Sequence, residues 1–88
     1  MIRNAIDNLI KEEYSNRWGD IFEYSQKERG MGIVDGIDRL FKTQFPDVQY
    51  SILNDDFEDT TNYATGAVFV AYVENDSLET VLYRWVSY

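Results

Sequence analysis

Cysteine and histidine are both absent from this 88-residue chain. Without cysteine there is no disulfide framework and no thiolate metal site. Without histidine the commonest general base, the usual zinc ligand and every Ser–His or Cys–His nucleophile are excluded. Asp20, Glu23, Asp55, Asp56 and Glu58 are candidates for paired carboxylates, but nothing in the sequence separates an acid–base pair from a charged surface. We therefore expect no enzymatic activity and no cofactor.

Long hydrophobic runs are also missing. The longest, Ala67 to Val73, is far shorter than the roughly 20 residues that a membrane-spanning helix needs. The segment Met1-Ile2-Arg3-Asn4 begins an amphipathic pattern and does not read as a signal peptide. We expect a cytoplasmic protein that does not enter a membrane.

Positive charge is scarce and unevenly placed. The formal net charge is −8, with seven Lys/Arg against eight acids in residues 1–44 but one against eight in residues 45–88. No Lys or Arg occurs between Thr43 and Tyr83. Nucleic acids and anionic membranes need cations to neutralise their phosphates, so neither is an expected direct partner. The charge favours a protein partner with a basic surface, although acidity can also serve solubility alone.

What the chain does contain is enough apolar material for one core. Its hydrophobic fraction is 44% and its aromatic fraction 16%, well above those of acidic disordered tails. A chain of this length has room for one domain, which we assign to residues 1–88.

Helical periodicity dominates the first half. Apolar residues predict a helix over Ile2–Tyr14 and another from Ile33 to Phe45, after the break Gly30-Met31-Gly32 and before Pro46. Asp20 and Glu23 resemble a capping box, which predicts a short helix over Ile21–Glu28, or else an irregular connection. Acids precede cations by four residues at Asp7/Lys11, Glu23/Lys27, Asp35/Arg39 and Asp38/Lys42, as on a solvated helix surface.

The second half changes to strand periodicity. We predict strands over Val48–Ile52, Ala67–Val73 and Leu78–Tyr88, a polar loop over Asn54–Gly66 and a two-residue turn at Asn75-Asp76. The predicted fold is α+β, with two to three N-terminal helices packed on one face of a three-stranded antiparallel sheet. Ala67–Val73 is its middle strand.

The predicted turn fixes which side chains share a face of the hairpin. One face is aliphatic and is expected to pack against the helices: Phe69, Ala71, Val73, Leu78, Thr80, Leu82 and Val86. The other is aromatic and is expected to remain open, as a partner surface or a homodimer interface, or to lie under the 54–66 loop: Val68, Val70, Tyr72, Glu79, Val81, Tyr83 and Trp85.

The predicted partner-binding residues combine unpaired acids with three of these aromatics: Asp55, Asp56, Glu58, Asp59, Glu74, Asp76, Glu79, Tyr72, Tyr83 and Trp85. The stretch from Asn54 to Glu58 has the alternate oxygens of an EF-hand loop. It lacks the glycine at the sixth position and the glutamate at the twelfth, so we expect no metal site.

These features predict a small acidic protein that inhibits a larger protein by occupying its basic, typically nucleic-acid-binding, surface. In size, charge and lack of catalytic residues the chain is similar to phage-encoded anti-defence proteins, including anti-CRISPRs and DNA mimics. Immunity proteins against basic nuclease toxins are similar in the same respects, and no motif ties the chain to one family. A homodimeric accessory subunit with no inhibitory role is the alternative from a different class.

Overall fold

The computed structural model describes residues 1–13, 17–18, 21–24, 30–58 and 64–87, with the backbone alone at 13, 17–18, 21–24, 30–31, 56–58, 64 and 87. The described chain forms two helices and one five-stranded sheet, so the protein is α+β, as predicted. The elements are α1 (Ile2–Glu13), β1 (Arg17–Trp18), β2 (Ile21–Tyr24), α2 (Gly30–Gln44), β3 (Tyr50–Glu58), β4 (Ala64–Glu74) and β5 (Ser77–Ser87).

The two helices with a strong apolar stripe are present. In α1 the stripe Ile2, Ile6 and Ile10 is buried, as helical spacing requires. The helix α2 begins at Gly30, so the predicted break at Gly30-Met31-Gly32 is wrong. It ends at Gln44, just before Pro46, and the Phe45 amide still donates to the Phe41 carbonyl at 2.9 Å.

The predicted helix over Ile21–Glu28 is wrong where the structure describes it, because Ile21–Tyr24 is strand β2; residues 25–29 lie outside the described part. The strand β2 pairs in parallel with β5, with Ile21 beside Arg84, and antiparallel with β1. A pairing between residues so distant in sequence leaves no local periodicity, and it overrode the weak capping pattern.

The sheet has the order β1-β2-β5-β4-β3, and β3, β4 and β5 form an antiparallel meander. Its register is the predicted one, since Val68 lies opposite Tyr83 and Phe69 opposite Leu82. Asn75 and Asp76 have φ values of 53° and 60°, as in a type I′ turn, which suits the twist of a tight hairpin. The central position of Ala67–Val73 in the meander is therefore confirmed.

The strand β3 is longer than predicted, and part of the predicted Asn54–Gly66 loop is wrong. Pairing between β3 and β4 runs from Tyr50 opposite Tyr72 to Glu58 opposite Ala64. Since β3 lies at the edge of the sheet, polar and acidic side chains can continue along it while its backbone pairs with β4. Residues 59–63 lie outside the described part.

Buried residues of the helices and of the sheet form a single hydrophobic cluster: Ile2, Ile6, Ile10, Ile33, Ile37, Leu40, Phe41, Val68, Val70, Tyr72, Val81, Tyr83 and Trp85. The Phe41 ring stacks on Tyr50 with 4.2 Å between ring centroids and 6° between planes, which joins α2 to β3. Neither described helix is long and apolar enough to span a membrane.

Candidate functional site

The two sides of the meander differ sharply in exposure. Alternate side chains of β3, β4 and β5 point to opposite sides of the sheet. On one side Val68 and Val70 are fully buried, whereas on the other Leu53 is 64% exposed, Leu82 40% and Phe69 39%. We call the exposed side the open face; its described side chains are Ser51, Leu53, Asp55, Thr65, Ala67, Phe69, Ala71, Val73, Leu78, Thr80, Leu82, Arg84 and Val86.

The open face is organised in rows that cross the three strands. Leu53 lies opposite Phe69, and Phe69 opposite Leu82, so three large apolar side chains form one continuous exposed row. Near the hairpin turn, Val73 lies opposite Leu78, which is 70% exposed. Single exposed apolar residues are ordinary on a protein surface, whereas a contiguous exposed set is a candidate interaction surface.

Charge on the open face is confined to the adjacent row. Asp55 lies opposite Ala67, and Ala67 opposite Arg84. Both charged side chains are exposed, and among the described side chains of this face they are the charged pair. No ion pair links them within the part of the chain that the structure describes. The described part of the open face therefore has a negative group on β3 and a positive group on β5, with β4 between them.

The predicted open aromatic face is wrong, because the aromatic side is the core. Trp85 and Tyr83 are fully buried and Tyr72 is 3% exposed, whereas the aliphatic face that was predicted to pack against the helices carries the exposed leucines. The three aromatic residues that we predicted as partner-binding are therefore not accessible to a partner in this fold.

Three aromatic side chains of this side donate hydrogen bonds, which helps to explain how it became the core. The Tyr83 hydroxyl donates to Asp7 of α1, and the Tyr50 hydroxyl donates to Asp38 of α2. The Trp85 indole Nε1 donates to Asn54 Oδ1 at 3.2 Å. Tyr and Trp bury a large apolar area once such a partner is found.

A signal in the sequence could have indicated this arrangement. The aromatic side offers Trp85, Tyr83 and Tyr72, each of which can bury more area than a leucine or valine, whereas the opposite predicted set has Phe69 as its one aromatic residue. Asp7 and Asp38 were interpreted as surface pairs with Lys11 and Lys42. Asp38 does bind Lys42 at 2.9 Å, and Asp7 contacts Arg3 at 3.4 Å, but both also accept a tyrosine hydroxyl from the sheet.

The structure divides the predicted acidic site into two groups. Glu74, Asp76 and Glu79 lie at the turn between β4 and β5, which we call the hairpin end. Asp55 lies seven register steps away from the Glu74–Ser77 pair, or roughly 23 Å at about 3.3 Å per step. Asp56 and Glu58 belong to β3 with only their backbone described, and Asp59 lies outside the described residues.

One member of the hairpin end has an internal role. Glu74 Oε2 accepts a hydrogen bond from the Ile2 amide at 3.4 Å, at the N-terminus of α1. A carboxylate there satisfies an unpaired amide and complements the helix dipole. Asp76 and Glu79 are exposed. The negative charge of the hairpin end that is displayed to solvent thus comes chiefly from these two residues.

The remaining features offer little chemistry. Within the described residues no three acidic side chains converge in a group that could hold a metal ion. A groove of about 390 Å³ lies between α1 and α2. The groove is lined by Ala5, Asn8, Leu9, Glu12, Leu40 and Gln44. Glu12 is the one ionisable group among them, so the groove contains no acid–base pair.

Comparison with known proteins gives no match: no family model, no curated protein and no solved structure is similar to this chain.

Proposed function

We propose that this chain is a small acidic binding protein that inhibits a larger protein by occupying a basic, nucleic-acid-binding surface. The observation that carries the proposal is the hairpin end, where Asp76 and Glu79 are exposed at the tip of two 11-residue strands. The tight turn holds them in a fixed arrangement, which suits the binding of a complementary charged surface.

The charge carried by the strands of the hairpin supports the same function, while on the helix side Arg3 lies close enough to act on the pKa of Tyr72 together with Glu74 and Glu79. The chain has no Lys or Arg between Thr43 and Tyr83, and Arg84 lies five residues beyond Glu79, roughly 17 Å along β5. That separation exceeds the Debye length of about 8 Å at physiological salt, so Arg84 does little to neutralise the hairpin end. A basic partner would relieve this repulsion, and the attraction would accelerate encounter.

The proposal has two forms, which differ in the source of the basic partner and share the same binding chemistry. A phage anti-defence inhibitor would cover the nucleic-acid site of a host enzyme, and an immunity protein would cover that of a nuclease toxin. In both forms the acids of this chain imitate phosphates, and the protein acts in the cytoplasm, that of the host if it is phage-encoded.

Charge-removal variants test the proposal. The hairpin variant carries Asp76→Asn and Glu79→Gln, and the strand variant replaces Asp55, Asp56, Glu58 and Asp59 by Asn or Gln. The matched control removes two exposed helix charges, with Glu12→Gln and Asp35→Asn. Asparagine is a sound choice at position 76, because it tolerates the positive φ there.

Proteins captured from cell extract with the parent chain supply the partner, whose association rate with each variant is then measured at two salt concentrations. We expect the hairpin variant to associate at least about tenfold more slowly at low salt and to lose most of its salt dependence. The helix control should associate like the parent. If the control alone loses binding, or if the captured partner keeps its nucleic-acid binding in the complex, the proposed function is wrong.

A further inference from the structure

We propose that the open face is covered by a second copy of this chain, related to the first by a two-fold axis parallel to β4. The inference does not rest on the proposed basic partner. It concerns the open face and the row Asp55–Ala67–Arg84, and it can be tested with the chain alone.

The apolar rows supply the attraction. Leu53, Phe69 and Leu82 cross the sheet as one exposed row, with Val73 and Leu78 beyond it. Two sheets that stack face to face lie about 10 Å apart with strands within about 30° of each other, which brings such rows into contact. Closed two-fold dimers are the commonest assemblies of soluble chains, and they use one self-complementary patch.

The order of the strands makes the open face self-complementary. In the meander β4 lies between β3 and β5, so a two-fold axis parallel to β4 sets β3 of one copy over β5 of the other. Each row keeps its position along the strands. Leu53 then faces Leu82 of the second copy, and Phe69 faces Phe69 of the second copy.

The row Asp55–Ala67–Arg84 indicates both which partner covers the open face and how the two-fold axis is oriented. The same rotation sets Asp55 over Arg84 of the second copy, and Arg84 over Asp55 of the second copy, so that two ion pairs form at the edge of the apolar rows. An axis across the strands, centred on the Leu53–Phe69–Leu82 row, would set Asp55 over Ser51 and Arg84 over Thr80, without a charge partner. A uniformly basic partner would be repelled by Arg84 and a uniformly acidic one by Asp55, whereas a second copy satisfies both.

The size of the face sets the expected strength. Three strands about 4.8 Å apart and nine paired positions spaced by about 3.3 Å give roughly 400 Å² of sheet plane. Stable specific interfaces bury about 800 Å² per partner, so this face supplies about half of that area, as in weak or transient complexes. We therefore expect a dissociation constant in the micromolar range.

The dimer also has a consequence for the acidic groups. A rotation about an axis parallel to the strands leaves both hairpin ends at the same end of the assembly. Two sets of Asp76 and Glu79 would then be displayed together, which gives the dimer a larger negative surface than either copy has alone.

Sedimentation equilibrium from about 1 µM to about 1 mM, with charge-swapped variants, tests the proposal. We expect Asp55→Arg and Arg84→Asp each to weaken dimerisation at least tenfold, because like charges then face each other. The double variant should return to within about threefold of the parent. The matched controls Asp47→Arg and Arg39→Asp change charges that are also exposed but lie outside the open face, and they should dimerise like the parent.

A cross-linking measurement keeps the test decisive if a charge variant fails to fold. The chain has no native cysteine, so Ala71→Cys places a single thiol on β4, where the axis makes it face its own copy. A short bifunctional thiol reagent should link Ala71→Cys into dimers and leave Asp47→Cys monomeric. Three results would each overturn the proposal. They are a monomer at about 1 mM, equal dimerisation of the parent and both single swaps, and cross-linking of Asp47→Cys but not Ala71→Cys.

Discussion

The buried and open faces of the meander are made by the same three strands, but their side chains meet very different surroundings. The buried face carries the large aromatics, and helix carboxylates accept hydrogen bonds from two of its tyrosines. The described side chains of the open face are mainly aliphatic, together with Phe69 and one charge of each sign. Polar atoms therefore lie in the interface with the helices, while a largely apolar surface faces solvent. The contrast teaches that the position of hydrogen-bond partners, as well as hydrophobicity, decides which side of an apolar sheet becomes the core.

The sharpest way to disturb the buried face is to add one methyl group at Gly66. A Cβ there would lie 2.3 Å from the Asp55 carbonyl oxygen and 2.5 Å from the Trp85 ring, both shorter than any tolerable contact. The backbone oxygen cannot move without breaking the pairing of β3 with β4. We expect Gly66→Ala to lower the free energy of unfolding by about 3 kcal/mol or more, measured by urea denaturation.

Ala71→Val is the control on the open face of the same strand. It adds two methyl groups to a partly exposed position and should change stability by less than about 0.5 kcal/mol in dilute solution. Equal stability of Gly66→Ala and the parent would show that Trp85 does not pack over Gly66.

A matched pair of valines on β4 compares the two faces with the same chemical change. Val70 is fully buried among residues of the core, whereas Val73 is 36% exposed on the open face. We expect Val70→Ala to destabilise by about 2 kcal/mol, from lost apolar burial and the cavity left behind, and Val73→Ala by about 0.5 kcal/mol.

Thermal unfolding at low concentration measures both variants as monomers, with an expected fall in Tm of about 10 °C for Val70→Ala. If the two valines cost the same, the two faces are equally buried in solution, and the difference between them described above is wrong.

The elements that are specified by residues close together in the sequence were predicted correctly. The stripe of α1 and the Asn75-Asp76 turn follow from spacing and turn geometry, and the turn then fixed the register of β4 and β5. The strand β2 was missed because it is held by its parallel pairing with β5, with Ile21 beside Arg84. The acidic end of β3 was missed because an edge strand needs no alternating apolar pattern to pair through its backbone.

The candidate site was harder to predict than the fold. The register was right, so the two sets of side chains were correctly separated, but the choice between them depended on what the helices offered. Tyr83 and Asp7 are far apart in sequence, and their contact appears only once α1 lies across the sheet. The exposed row Leu53–Phe69–Leu82 could not be predicted without the full length of β3. The predicted strand ends at Ile52, so Leu53 precedes the predicted loop.

The smallest expected effect concerns the link between α2 and the buried side of β3. The Lys42 ammonium and, after it, the Tyr50 hydroxyl hold the pKa of Asp38 below its ordinary value of 3.8. The Asp38 carboxylate in turn raises the pKa of Tyr50 above its ordinary value of 10.0. Because the folded pKa of Asp38 is the lower one, its contribution is fully present above about pH 4 and is lost as the pH falls through the folded pKa.

For Tyr50 the folded pKa is the higher one, so its contribution is present below about pH 10 and is lost as the pH rises further. Tm is measured from about pH 2 to about pH 11 for the parent and for Asp38→Asn. The variant should melt lower at pH 7, and the difference should close towards both extremes. Lys42→Gln removes the positive charge beside Asp38 and Tyr50→Phe removes a hydroxyl donor, so each should reduce the acid-dependent part of the difference. A difference between the parent and Asp38→Asn that stays constant over the whole pH range would show that this carboxylate does not link α2 to β3 in solution.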